Sequence, residues 1–192
     1  MKQKLILASA SPRREKLLKQ LGLHFTVVPS NINEDRYLHL PPVELVNELS
    51  LAKAEEVAEL VENTVIIAAD TIVVLNDAVI GKPEDTEDAK KMLQRLSGTK
   101  HTVYSGLAVL STENGFSKSD YDQTDVYIRN LSDREIDAYI RSGEPMDKAG
   151  AYGIQGLGGI FVERINGSFF TVMGLPIHIL SVMLKDFAIN IL

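Results

Sequence analysis

The sequence predicts an α/β fold, and three observations carry that prediction. Apolar, β-prone segments alternate along the chain with amphipathic helical ones. One run, Val65-Ile66-Ile67-Ala68-Ala69-Asp70-Thr71-Ile72-Val73-Val74-Leu75, is apolar enough for a central strand covered on both faces. Finally, 192 residues with 45% hydrophobic content can bury a full core as one domain of ordinary size.

The elements follow in order. Leu5 to Ala8 is the first strand, and it runs into Ser9-Ala10-Ser11-Pro12-Arg13-Arg14. Ser11 suits an N-cap and Pro12 a first helical residue, so a helix over Pro12 to Leu21 is expected, with Leu17, Leu18 and Leu21 on one face and Gly22 ending it. Phe25 to Val28 is a second short strand, followed by the polar run Ser30 to Asp35. Val43, Val46, Leu49, Ala54, Val57 and Leu60 recur near helical spacing and predict a long helix from Pro42 to Leu60, carrying Lys53 in an acidic neighbourhood. After the central strand, Asn76-Asp77-Ala78 reads as a hairpin turn that leads to Ile80-Gly81-Lys82-Pro83.

Asp85 to Asp88 gives an acidic start to a helix through Leu96, closed by Ser97-Gly98. Strands are expected at Thr102 to Leu110 and Val126 to Asn130. Ser132-Asp133-Arg134-Glu135 forms a capping box for a helix through Ile140. Between Asp147 and Gly159 lie five glycines at irregular spacing, the composition of a loop shaped for close backbone approach to a ligand or of a flexible connector. Phe161 to Ile165 resumes strand character, Asn166-Gly167 signals a hairpin turn, and Pro176 to Phe187 closes the chain as an apolar helix.

Composition excludes several classes of function. No apolar run reaches the ~18 residues that span a bilayer, and the N-terminal apolar stretch is too short for a secretory signal, so a cytoplasmic protein without membrane partners is expected. Zero cysteines exclude disulfides, thiolate zinc sites and cysteine nucleophiles. A formal charge of −6 opposes the broad basic footprint that nonspecific nucleic-acid binding needs. His24, His39, His101 and His178 are scattered singly and form no zinc pattern.

Chemistry concentrates in a few motifs. A helix opening at Pro12 aims free backbone N–H groups at whatever sits above the first strand, and Arg13 and Arg14 add guanidinium donors, so the stretch reads as a phosphate cradle; taken alone it also describes a capped surface helix with two solvated arginines. Asp70 interrupts the most apolar strand, where an ionised carboxylate needs a polar cleft, a cation or strong donors. Gly81-Lys82 lacks the spacing of a Walker A loop.

Together, Ala8-Ser9-Ala10-Ser11-Pro12-Arg13-Arg14, Ala69-Asp70-Thr71, Gly81-Lys82-Pro83 and the Asp147-to-Gly156 stretch closely resemble the Maf family of nucleoside triphosphate pyrophosphatases, over effectively the whole chain. The resemblance implies a single two-lobed domain over residues 1–192, with an elongated mixed β-sheet flanked by helices and a deep cleft, as in the inosine triphosphatase group. It also implies a homodimer, and hydrolysis of a nucleoside triphosphate to the monophosphate and pyrophosphate with a divalent cation, Mg²⁺ or Mn²⁺. By the same resemblance Asp70 is the catalytic base, Arg13, Thr71 and Gln155 select the substrate, and Ser9, Arg14, Lys53 and Lys82 surround the phosphates. Glu34 is the candidate for a second metal carboxylate beside Asp70, a solvated loop acid being the alternative.

Thr71 with Gln155 resembles the branch acting on dTTP and UTP rather than on 7-methyl-GTP, and a carboxamide offers the donor and acceptor that the edge of thymine or uracil requires. Two other readings use the same residues. A non-catalytic nucleotide-sensing regulator of septum formation would bind without turnover. A nucleic-acid-binding module would track a backbone with Arg13, Arg14, Lys53 and Lys82, but 6% aromatics and no Trp weigh against its stacking platforms.

Overall fold

The structure, a computed structural model, describes residues 4–192. Among the described residues, seven strands and six α-helices make a mixed α/β architecture. Strand β1 (Lys4–Leu7) leads into α1 (Pro12–Gln20), then β2 (Thr26–Val27), α2 (Pro42–Ala58), β3 (Thr64–Leu75) and β4 (Ala78–Ile80). The chain continues through α3 (Thr86–Leu96), β5 (Lys100–Ser111), β6 (Ser117–Ile128), α4 (Asp133–Arg141), β7 (Val162–Asn166), α5 (Phe169–Val172) and α6 (Ile177–Asp186).

The strand order is β2-β1-β3-β5-β6-β7, with β4 on β3. Strand β1 pairs in parallel with both β2 and β3, as the α1 and α2 crossovers require, whereas β3–β4 and β6–β7 are antiparallel. Strand β3 runs without a break through Asp70, and every residue of it except Thr71 is buried, so the expected central strand is present at the expected bounds.

The chain divides into two compact units. Among the described residues, the first comprises 4–70, 105–122 and 174–192. It holds an apolar cluster in which Ala54 and Val57 of α2 meet Ile6, Ala8, Ile66, Ala68, Ala108 and Leu110 from the strands and the residue following β1. Helix α2 lies so close to β5 that a Cβ on Gly106 would stand 2.1 Å from the Val46 carbonyl oxygen. The second unit comprises residues 71–104 and 123–173, and its core joins Leu93 and Leu96 of α3 and Ile136 and Tyr139 of α4 to Val73, Val103, Val126 and Phe161.

Three local expectations are corrected. Strand β6 begins at Ser117, not Val126; its leading segment, Ser-Lys-Ser-Asp-Tyr-Asp-Gln-Thr-Asp, is largely exposed and so lacks the apolar alternation that marks a strand. Asn166-Gly167 makes no hairpin: Gly167 (φ +135°) leads β7 into α5, where Ser168 caps by accepting from the Phe170 N–H, and Thr124 Oγ1 accepts from the Ser168 N–H at 2.9 Å. Ser11 stands at the N-cap of α1, yet its side chain makes no capping hydrogen bond. The capping box at Ser132 and Glu135 forms as expected.

Candidate active site

Lys53 projects from the buried face of α2, one turn after Leu49 and one before Val57, toward β3. Its ammonium lies 2.6 Å from Asp70 Oδ1 and 2.7 Å from Glu34 Oε1. The Lys53 and Asp70 side chains are nearly enclosed, at 11% and 10% exposure, while Glu34 is open at 54%. Asp70 therefore has the cation that its burial in an apolar strand demands. Glu34 reaches this point because Asn33 accepts from the Asp35 N–H and starts a 3₁₀ turn over Glu34–Tyr37.

At the end of β1, buried Ser9 accepts from the Ser11 N–H at 3.2 Å and from the Arg14 guanidinium at 3.1 Å. Arg14 Nε also donates to the Gly174 carbonyl at 2.7 Å, so this guanidinium fixes the loop after β1 against the segment preceding α6. Burial pulls the Arg14 pKa below its ordinary value; Asp70 and Glu34 oppose that, and neighbouring Arg13 adds to it. Ser9, Arg13, Arg14, Lys53, Asp70 and Glu34 thus gather in the first unit, three cationic side chains against two carboxylates.

The other three predicted residues fall in the second unit. Thr71 follows Asp70 and points from the opposite face of β3. Lys82 is exposed on the loop after β4, and the preceding Gly81 carbonyl accepts from the Gly150 N–H at 2.9 Å, so the Gly-Lys-Pro and glycine-rich loops are joined through their backbones. Gln155 is exposed on the latter.

In the glycine-rich loop the space that side chains would need is filled by the protein itself. A Cβ on Gly153 would meet Lys148 Cε at 2.8 Å, on Gly156 the Glu144 Oε2 at 2.8 Å, on Gly158 the Tyr139 Oη at 2.6 Å, and on Gly159 the Ile154 carbonyl at 2.6 Å. These glycines make room for the protein's own side chains and backbone. Glu144 and Tyr139 are the residues that sequence reasoning missed, since nothing in the local pattern links Glu144 to backbone N–H groups 13 and 14 residues away.

For a divalent cation, the donor set available beside Lys53 is two carboxylates, Asp70 and Glu34, drawn to a single ammonium. Among the described residues no group of three or more His, Cys, Asp or Glu side chains assembles as a metal site. Magnesium prefers oxygen ligands and keeps several waters, so a pair of carboxylates fits it.

A family model described as "Maf-like protein" matches residues 4–187. The chain belongs to this family. The dTTP/UTP pyrophosphatase of Moorella thermoacetica is 47% identical over 188 residues, 98% of this chain and 97% of that protein. The dTTP/UTP pyrophosphatase of Pelotomaculum thermopropionicum is 44% identical over 190 residues, 99% of this chain and 100% of that protein. Among solved structures, the Ham1 protein of Staphylococcus aureus is similar with a TM-score of 0.49 and 16% identity, over 83% of this chain and 79% of that one. Membership of the Maf-like family extends from β1 to the end of α6, so all nine predicted site residues lie inside the matched region.

Proposed function

We propose that the chain is a nucleoside triphosphate pyrophosphatase that hydrolyses dTTP and UTP to the monophosphate and pyrophosphate. The observation that carries this reading is the buried Asp70 held by Lys53, in a chain whose full-length relatives are named for that activity. In the proposed reaction water adds to the α-phosphorus, the bond from that phosphorus to the bridging oxygen breaks, pyrophosphate leaves, and the proton of the water passes to Asp70. Arg14, Lys53, Lys82 and the N–H groups opening α1 oppose the charge of the phosphates, and Ser9 keeps Arg14 in place. Asp70 and Glu34 would hold the divalent cation, Mg²⁺ or Mn²⁺, which when bound would neutralise phosphate charge and make its bound water more acidic.

Arg13, Thr71 and Gln155 are the proposed selectors of substrate. Gln155 is suited to this because its exposed carboxamide can both donate to and accept from the edge of a pyrimidine ring. The proposal includes a homodimer acting in the cytoplasm. Among the described residues no helix is long and apolar enough to cross a membrane.

A panel of dTTP, UTP, ATP, GTP and 7-methyl-GTP with Mg²⁺ or Mn²⁺, with identification of products, tests the reading. Much faster turnover of dTTP and UTP, with pyrophosphate as the first product, is expected. Equal rates on all five, or orthophosphate first, would overturn it. Binding without turnover would favour the sensor alternative.

A further inference from the structure

Gln155 stands between two points at which its loop is tied to one pair of side chains. On one side, Tyr139 Oη accepts from the Gly153 N–H at 3.2 Å. On the other, the Glu144 carboxylate accepts from the Leu157 N–H at 2.9 Å through Oε2 and from the Gly158 N–H at 3.0 Å through Oε1. The two ties are one assembly, because Tyr139 donates its hydroxyl proton to Glu144 Oε1 at 2.9 Å.

The pair is itself well anchored. The Tyr139 ring is buried in the core of the second unit, edge-on to Phe161 with centroids 4.9 Å apart. Glu144 follows the left-handed Gly143, and the Lys148 ammonium donates to its carbonyl and to Asp147 Oδ1. Burial acts to raise the Glu144 pKa, but the two backbone N–H groups and the Tyr139 hydroxyl outweigh it and hold the carboxyl below its ordinary value. Gly156 and Gly158 leave the space into which Glu144 and Tyr139 fit.

We propose that Glu144, through Tyr139, is a positioning residue for base selection: its carboxylate fixes the backbone on both sides of Gln155 and so sets where that carboxamide points. This rests on the reading of Gln155 as the side chain that distinguishes bases. Loss of the carboxylate leaves the chemistry at Asp70 intact in kind and loosens only the recognition of the base.

Glu144→Gln tests this with almost no change of shape, because the amide presents an NH₂ group where one of the backbone N–H groups needs an acceptor. The expected result is a roughly tenfold fall in the kcat/KM ratio of dTTP over ATP, carried by a higher KM for dTTP with little change in kcat. In a Gln155→Ala background the same substitution should leave the ratio unchanged, since the side chain being positioned is gone. Hydrogen exchange should show faster exchange at Gly153, Leu157 and Gly158 than in the unsubstituted protein. Tyr139→Phe, which keeps the ring and removes only the hydroxyl, carries the same test should Glu144→Gln fold poorly.

An undiminished ratio in either variant, or an equal fall with and without Gln155, overturns the inference. Should the unsubstituted protein turn over dTTP and ATP alike, the reading of Gln155 is overturned and this inference with it. The former failure leaves base selection by the unsubstituted protein in place, so the two are distinguishable.

Discussion

Lys53 sets its ammonium 2.6 Å from Oδ1 of Asp70, in a chain position that places a charged residue from α2 against the middle of the most buried strand. The arrangement satisfies both charges at once and leaves Glu34, at 2.7 Å from the same ammonium, as the exposed third member.

Asp70→Asn preserves shape and leaves Lys53 with Glu34, so the fold should survive. Pyrophosphate release should fall by about 10²–10⁴-fold, the usual contribution of a positioned general base. Single-turnover assays beside a thermal melt check both halves; full turnover would remove Asp70 from the mechanism.

Lys53→Met keeps the bulk of the stem and removes the charge, leaving a buried carboxylate without its cation. Breaking a buried pair in this way should cost about 3–5 kcal/mol, read by urea unfolding at neutral pH. The double variant Lys53→Met with Asp70→Asn should recover part of that loss while remaining inactive.

His101 predicts a pH dependence of stability. It is buried, with its Nε2 2.7 Å from the Tyr152 hydroxyl, and burial pushes its pKa down from 6.5 to about 4, with Asp125 opposing. The unfolded chain therefore binds a proton at a higher pH than the folded one. The stability held above pH 6.5 is lost as pH falls toward about 4, by about 3 kcal/mol in all. Unfolding free energies at pH 7.5, 5.5 and 4.5 should be flatter in His101→Gln; parallel curves would contradict the assignment.

Gly106→Ala should disturb the site without touching it. Its Cβ would stand 2.1 Å from the Val46 carbonyl oxygen, and α2 must shift to admit it. A loss of about 1–3 kcal/mol is expected. Because Lys53 rides on the same helix, kcat should fall as well, which a melt and a rate assay on one preparation would reveal.

Much of the fold was legible because its signals are local. The apolar run of β3, the Pro12 and Ser132 helix starts and the periodicity of α2 and α3 each lie within one element. The leading segment of β6 was not, since Ser117 to Asp125 form a strand with a mostly solvated surface and polar composition. At the site, Asp70 announced itself as a charge in an apolar strand. Lys53 carried a usable signal too: spaced four from Leu49 and four from Val57, it lies on the buried stripe of α2, where a charge implies a partner. Glu144 carried none, because the backbone groups it holds, and the Tyr139 hydroxyl that joins them, are brought to it only by the folded loop.

The glycines between residues 153 and 159 therefore have a consequence for how specificity can change. Their contacts are internal, so the loop acquires its shape during folding and leaves little ordering entropy to be lost on binding. A rigid backbone of this kind separates the socket from what is mounted in it. Under the proposed role of Gln155, exchange of that exposed side chain would alter preference among ligands while the scaffold beneath it is inherited unchanged.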